Sequence, residues 1–327
     1  MVRCQCCGMR VPTFTDVLDA RDRITPVLPP TPMWHSTALS AATGAEIFVK
    51  YENTQPIGAF KVRGGLNLLA TMPERERAAG VLGYSTGNHA QSLAYAARHF
   101  DVPCTIVMPE NANPTKAAAV RALGAELVEF GATFDESSAR AHELVAERGM
   151  RLVSAANEPR LVAGVATAYL ELVRTQPDLD AIVVPVGGGS GAAAACIVTA
   201  RLAPRCEFIA VQSAASPAAH DSWRAGEVVE RPNTTAAEGL ATGSGFELTQ
   251  RILRDRLTDF MLVDDADIAA AQWSMLRDAH TLAEGAGAAA LAAVLAQRDR
   301  FAGKRVAIVC TGANASQAEL RRIIPRG

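Results

Sequence analysis

The stretch Glu52-Asn53-Thr54-Gln55-Pro56-Ile57-Gly58-Ala59-Phe60-Lys61-Val62-Arg63-Gly64-Gly65 decides the fold. Pro56 and Gly58 stop the element before them, because proline fixes φ and glycine admits conformations other residues avoid. A helical pattern starts just after, with Leu66, Leu69 and Ala70 on one face. Lys61 therefore falls at the start of a helix, beside Phe60. Helix N-termini favour negative charge, and a lysine is ordinarily a solvated surface cation. A lysine here reads as a residue with a task.

Outward from Lys61 the chain alternates. Strands are expected over 46–50, 80–85, 104–109, 126–130, 151–153, 181–186, 207–211 and 305–309. Helices are expected over 90–98, 114–123, 134–148, 159–174 and 190–202, and an earlier one with Thr15 or Asp16 at its N-cap. Leu28-Pro29-Pro30-Thr31-Pro32 is an extended connector. Uncharged, β-branched strands alternating with helices point to parallel sheets covered on both faces. The expected fold class is α/β, with two doubly wound domains of mainly parallel sheet flanked by helices. The alanine-rich helices suit close packing against sheet.

Four further segments stand out. Ser85-Thr86-Gly87-Asn88-His89 lies between a strand and a helix. Its backbone N–H groups and short polar side chains suit an anion, and they would equally cap a helix. Gly187-Gly188-Gly189-Ser190-Gly191 also follows a strand and opens a helix. Glycines let successive N–H groups point into one concavity, which holds a phosphate. It is neither a Walker loop nor a dinucleotide fingerprint, since the Lys-Ser/Thr and the G-x-G-x-x-G spacing are missing. Val309-Cys310-Thr311-Gly312-Ala313-Asn314 closes the last strand, and Glu284-Gly285-Ala286-Gly287-Ala288 places a carboxylate at a helix start.

With 327 residues, one large or two medium domains are expected, and a hydrophobic fraction of 49% supplies a sizeable core. A net charge of −2 makes no electrostatic case for nucleic acid or an anionic membrane. No stretch of about 20 uncharged apolar residues and no signal peptide is present. The seven cysteines, at 4, 6, 7, 104, 196, 206 and 310, lack framework spacing, which favours a reducing, cytoplasmic setting. Cys4, Cys6 and Cys7 look like half of a zinc knuckle, but no second pair completes four ligands, so a frayed terminus is expected.

In order and content these segments resemble the serine/threonine dehydratase family of fold-type-II pyridoxal-phosphate enzymes, which includes threonine ammonia-lyases and serine racemases and shares its fold with the tryptophan synthase β chain. The family's Ser-Phe-Lys-x-Arg-Gly-Ala appears here as Ala59-Phe60-Lys61-Val62-Arg63-Gly64-Gly65. Ser190 replaces the fourth glycine of the phosphate loop, Gly285 a proline, and Ala313 a glycine. Val107-Met108-Pro109-Glu110, Lys116 and Gly124-Ala125-Glu126 also match the dehydratase branch.

The resemblance implies that Lys61 carries pyridoxal 5′-phosphate beside Phe60. It implies that Gly187, Gly188, Gly189, Ser190 and Gly191 hold the cofactor's phosphate, that Cys310 faces its pyridine nitrogen, and that Glu284 and Asn88 border it. Ser85, Thr86, Asn88 and His89 would surround the substrate carboxylate. Glu238, in Thr235-Ala236-Ala237-Glu238-Gly239, matches a segment where some members hold a divalent cation. The implied domains are 1–66 with 156–327, binding cofactor, and 67–155, carrying the carboxylate loop. No C-terminal regulatory domain is expected after Asn314.

The implied activity is elimination of water from a β-hydroxy amino acid such as threonine, serine or phenylserine, giving a 2-oxo acid and ammonia. Serine or amino-acid racemisation and 3-hydroxyaspartate dehydration are the alternatives, and a non-catalytic ligand sensor is a remote one. Thr86 stands where some serine racemases carry the serine proposed as their second base, which argues against racemisation. Gly164-Val165-Ala166-Thr167 replaces the family's Gly-Gln-Gly-Thr and hints at an altered pocket. A homo-oligomer, dimer or tetramer, is the expected state.

Overall fold

The computed structural model describes residues 9–112 and 114–324, so Cys4, Cys6 and Cys7 lie outside the described residues. Among the described residues ten strands form two sheets. The larger has six strands in the order β1-β2-β10-β7-β8-β9: β1 Met33–His35, β2 Glu46–Tyr51, β7 Ala181–Pro185, β8 Glu207–Ser213, β9 Asp259–Val263 and β10 Arg305–Cys310. The smaller has four, in the order β5-β4-β3-β6: β3 Val81–Tyr84, β4 Cys104–Met108, β5 Glu126–Glu129 and β6 Arg151–Leu152. All neighbours run parallel except β1, which pairs antiparallel with β2 at the edge.

The strands divide their side chains by alternation, as a period of two requires. In β7, Ile182 and Val184 enter one core while Ala181 and Val183 enter the other. In β10, Ala307 and Val309 face the first core, and Val306, Ile308 and Cys310 the second. Both faces are thus apolar and both are covered, which is the condition of a parallel sheet. The helix Gly285–Ala296 is buried over most of its length, and its small side chains let it lie close against the sheet. The expected α/β architecture of mainly parallel sheets flanked by helices is what the chain adopts.

Three local expectations need correction. The first helix is Phe14–Ile24, with Thr13 rather than Thr15 or Asp16 as its N-cap. Thr13 and Asp16 cap each other reciprocally: the Asp16 N–H donates to Thr13 Oγ1 at 3.3 Å and the Thr13 N–H to Asp16 Oδ2 at 2.7 Å. The helix expected from residue 90 starts at Asn88. Strands β1 and β9 have no counterpart in the expected elements; β1 follows the proline connector, and its three residues are too few to show a period.

Lys61 sits at the N-cap of the helix Val62–Ala70. Two residues on, Arg63 is 1% exposed and closes a buried ionic cluster. Its guanidinium donates to Glu52 Oε2 and Oε1 at 2.8 and 2.9 Å, and to Glu171 Oε1 and Oε2 at 2.7 and 2.8 Å. Lys50 Nζ donates to Glu171 Oε2 at 2.6 Å, and the Thr31 hydroxyl to Glu52 Oε1 at 2.6 Å. Burial alone would raise the Glu52 pKa, but Arg63 beside it holds the carboxyl below its ordinary value. Burial likewise works against the Arg63 charge, and Glu52 and Glu171 more than offset it. Gly65 lets the helix Asn88–Phe100 approach: a Cβ there would lie 2.5 Å from the Ser92 carbonyl oxygen.

Removing Arg63 leaves Glu52 buried without its partner, and breaking such a pair typically costs about 3–5 kcal/mol. Arg63→Ala should lower the urea midpoint of the cofactor-free protein accordingly. Arg63→Lys keeps the charge but not the two-pronged geometry, and should fall between. An unchanged midpoint in Arg63→Ala would show that the cluster does not hold this turn.

Candidate active site

The C-terminal ends of β3, β7 and β10 open onto one cavity of about 750 Å³, which the Lys61 turn after β2 also lines. Ligand crevices of parallel sheets lie at such ends. Each strand leads into a segment singled out in the sequence. After β2 comes the Lys61 turn, after β3 the Ser85–His89 loop, after β7 the glycine loop, and after β10 the Thr311–Asn314 loop.

The Lys61 turn is stitched to the end of the chain. Ala59 bridges Gly312, the Phe60 N–H donates to the Thr311 carbonyl at 3.0 Å, and the Ala313 N–H to the Gly58 carbonyl at 2.8 Å. The Asn314 amide donates to the Ile57 carbonyl at 2.8 Å. Lys61 Nζ then donates to the Ala155 carbonyl at 3.0 Å and to Ser190 Oγ at 2.7 Å, 5.4 Å from the centre of the Phe60 ring. Burial pushes the Lys61 amine down to about 8. Ser190, the residue that departs from glycine in the glycine loop, thus touches the lysine directly. Its helix Ser190–Leu202 begins after Gly189, whose φ of +86° only glycine adopts readily.

On the opposite wall, Ser85, Thr86, Asn88 and His89 all line the cavity at the start of the helix Asn88–Phe100. The Ser85 hydroxyl accepts from the Gly87 N–H at 3.2 Å. His89 is buried, and its Nε2 faces the Val153 carbonyl at 3.1 Å. Burial and the Lys61 charge push its pKa down to about 3, so the ring is neutral. Asn88 joins three segments: its amide donates to Glu284 Oε1 at 2.6 Å, and its carbonyl oxygen accepts from Asn314 at 2.7 Å.

Two candidate residues behave differently. Cys310 is fully buried, and it is Thr311 beside it that reaches the cavity wall. Burial, then the Glu284 charge, raises the Cys310 pKa, so the thiol stays protonated. Glu238 lines the cavity paired with Lys116. Among the described residues no cluster of three or more His, Cys, Asp or Glu could hold a metal ion. Glu52, Lys50 and Glu171 were not among the expected functional residues, yet they hold Arg63 on the Lys61 helix. The Arg63 of the matched motif was the one signal pointing to them.

Burial pushes Glu284 up to about 7, with Lys116 and the Asn88 hydrogen bond pulling the other way. The folded protein therefore keeps a proton that the unfolded chain releases at an ordinary carboxylate pKa. The stability tied to it is full below that pKa and is lost as the pH rises through about 7. In the cofactor-free protein, wild type should lose roughly 2.5 kcal/mol relative to Glu284→Gln between pH 5 and pH 8. Urea melts at the two pH values measure this, and a difference independent of pH would place the carboxyl in its ordinary range.

Residues 24–312 match the family described as pyridoxal-phosphate dependent enzyme. The chain is 38% identical over 317 residues to an L-threonine ammonia-lyase of Thermotoga maritima, covering 96% of this chain and 79% of the relative. It is 32% identical to an L-threo-3-hydroxyaspartate ammonia-lyase of Saccharomyces cerevisiae, covering 97% of each. The solved structure of maize serine racemase superposes with a TM-score of 0.91 at 28% identity, covering 96% of this chain and 97% of the other. Arrived at from the Lys61 turn outward and from these likenesses alike, the chain belongs to the pyridoxal-phosphate-dependent enzyme family.

Proposed function

We propose that this protein is an ammonia-lyase that eliminates water from a β-hydroxy amino acid, giving a 2-oxo acid and ammonia. The observation that carries it is the Lys61 amine, lowered to about 8 and set between the glycine loop and the Ser85–His89 helix start. The residues present fit pyridoxal phosphate. A buried amine with a depressed pKa lies 2.7 Å from Ser190, the residue that opens the helix after the glycine turn. The successive N–H groups of residues 187–191 supply a phosphate cradle. When bound, the cofactor supplies an electron sink for the bond broken at the amino acid's Cα.

The protein's own residues do the rest. The N–H groups at the start of the helix Asn88–Phe100, with the Ser85 and Thr86 hydroxyls, receive the substrate carboxylate. Asn88 is held at both ends of its amide, by Glu284 and Asn314, and so presents a fixed edge to the cofactor. His89, neutral and bound to the Val153 carbonyl, packs beneath that loop. Lys61, neutral in a substantial fraction near pH 8, takes the Cα proton as general base. The β-hydroxyl leaves as water, and the released enamine hydrolyses to the 2-oxo acid and ammonia.

Racemisation is the second reading, since it shares the first step. It needs an acid on the opposite face of Cα. Thr86, which lines the cavity, is the candidate for that role, and its β-branch restricts the hydroxyl's rotamers. Cys310, a thiol that stays protonated, would bring no carboxylate to the cofactor's ring, which would favour loss of the β-hydroxyl over return of the proton. The strands of the smaller sheet all fall within 67–155, which supports treating that stretch as a unit that closes over substrate. A divalent cation at Glu238 would compete with Lys116. A homodimer or tetramer in the cytoplasm completes the reading.

The purified protein should carry a yellow chromophore that borohydride fixes to Lys61. A colourless protein with no reducible adduct would sink the assignment. Lys61→Ala should lower 2-oxo acid formation from threonine, serine and phenylserine by at least about a thousandfold. In deuterated buffer, 2-oxo acid should outrun deuterated D-isomer, and Thr86→Ser should raise the minor isomer. The reverse product ratio would make the protein a racemase. Parallel assays with and without a chelator decide whether a cation takes part.

A further inference from the structure

The cavity that holds Lys61 is unevenly charged. Six ionised or ionisable Lys, Asp and Glu side chains line it: Lys61, Lys116, Asp135, Glu230, Glu238 and Glu284. Lys61 is engaged by Ala155 and Ser190, and Lys116 is paired with Glu238. Asp135 and Glu230 have no ion pair among the described residues and are exposed at the cavity wall. The helix Phe134–Arg148 reaches this wall through Asp135. The positive end of that helix is already met by Asp135 and by Glu136, which accepts from the Thr133 N–H at 3.0 Å in a capping box.

From this we infer that the site accepts amino acids whose Cβ substituent is neutral or cationic and rejects those carrying a second carboxylate. The inference rests on the proposed function, whose substrate class it narrows. A second carboxylate would enter a cavity that also holds the substrate's own carboxylate and the cofactor's phosphate. It would find both lysines engaged and would face Asp135, Glu230 and Glu238. Like charges brought together in this way discriminate between partners. Neutral polar substituents meet Asn233, Thr242 and Ser244, which line the same cavity and hydrogen-bond without charge.

L-asparagine and L-aspartate test this without any elimination, because they are close in shape, lack a β-hydroxyl and differ in charge. Titrated into the holoenzyme and followed by the shift of the cofactor's absorbance, asparagine should bind at least about tenfold more tightly at low salt. Asp135→Asn combined with Glu230→Gln should shrink that ratio to about threefold or less. Equal affinities in wild type, or tighter aspartate, would overturn the inference, and so would a ratio that the double variant leaves unchanged. Parallel assays with threonine and 3-hydroxyaspartate keep the two questions apart. Failure to form 2-oxo acid from any β-hydroxy amino acid would sink the proposed reaction, while the asparagine-to-aspartate ratio would still decide the charge of the site.

Discussion

The structure depends on the buried contact of Arg63 with Glu52 and Glu171. Lys50 joins the same group, so two cations meet two carboxylates in the interior. Desolvating four charges is costly, and the geometry answers it with multiple charge-assisted hydrogen bonds to each carboxylate. The reason to tolerate the cost lies two residues away. Arg63 is on the first turn of the helix that Lys61 caps, and Glu52 precedes the turn that leads to it. The cluster ties the end of β2, the Lys61 helix and the helix Pro159–Thr175 into one piece. A lysine on a rigid mount keeps its amine where burial can lower its pKa.

A second polar chain does for the far side of the cavity's segments what the ionic cluster does for the lysine. It runs from the Ile57 carbonyl through Asn314 and Asn88 to Glu284. Each link joins a different segment, so the Lys61 turn, the Ser85–His89 loop, the last loop and the start of the helix Gly285–Ala296 are held in one register. Such a network is rigid when every member is satisfied. Here Asn88 uses both ends of its amide, and Glu284 accepts where burial favours its neutral form. The Ala313 departure from the family's glycine leaves this intact, because the residue contributes its N–H to Gly58 and does not need a positive φ.

Much of the fold was legible because its signals are local. Alternation of apolar runs and helical faces marks a parallel sheet wherever both faces are buried, and glycine loops after strands mark where backbone must bend toward a ligand. The helices Phe134–Arg148 and Ser190–Leu202 fall where their caps and patterns place them. The first helix starts earlier than expected because its capping box spans Thr13 to Asp16, a pairing that the apolar pattern does not reveal. Strand β1 is too short to carry a period, and its pairing with β2 exists only once the sheet is formed.

The sequence by itself determined which residue types sit at the strand ends: a lysine after a turn, short polar side chains before one helix, and glycines before another. Those are choices made within a few residues, and local sterics and hydrogen bonding read them out. The tertiary structure alone decided what they meet. Arg63 and Glu171 are 108 positions apart, and Asn88 and Glu284 are 196 apart. It also decided that Ser190 touches Lys61, that Cys310 lies beneath Thr311's side of the wall, and that Glu238 is taken by Lys116. The physical reason is that burial and charge pairing belong to the packed whole. A carboxylate's pKa, or a lysine's, is set by which distant groups the two sheets bring beside it.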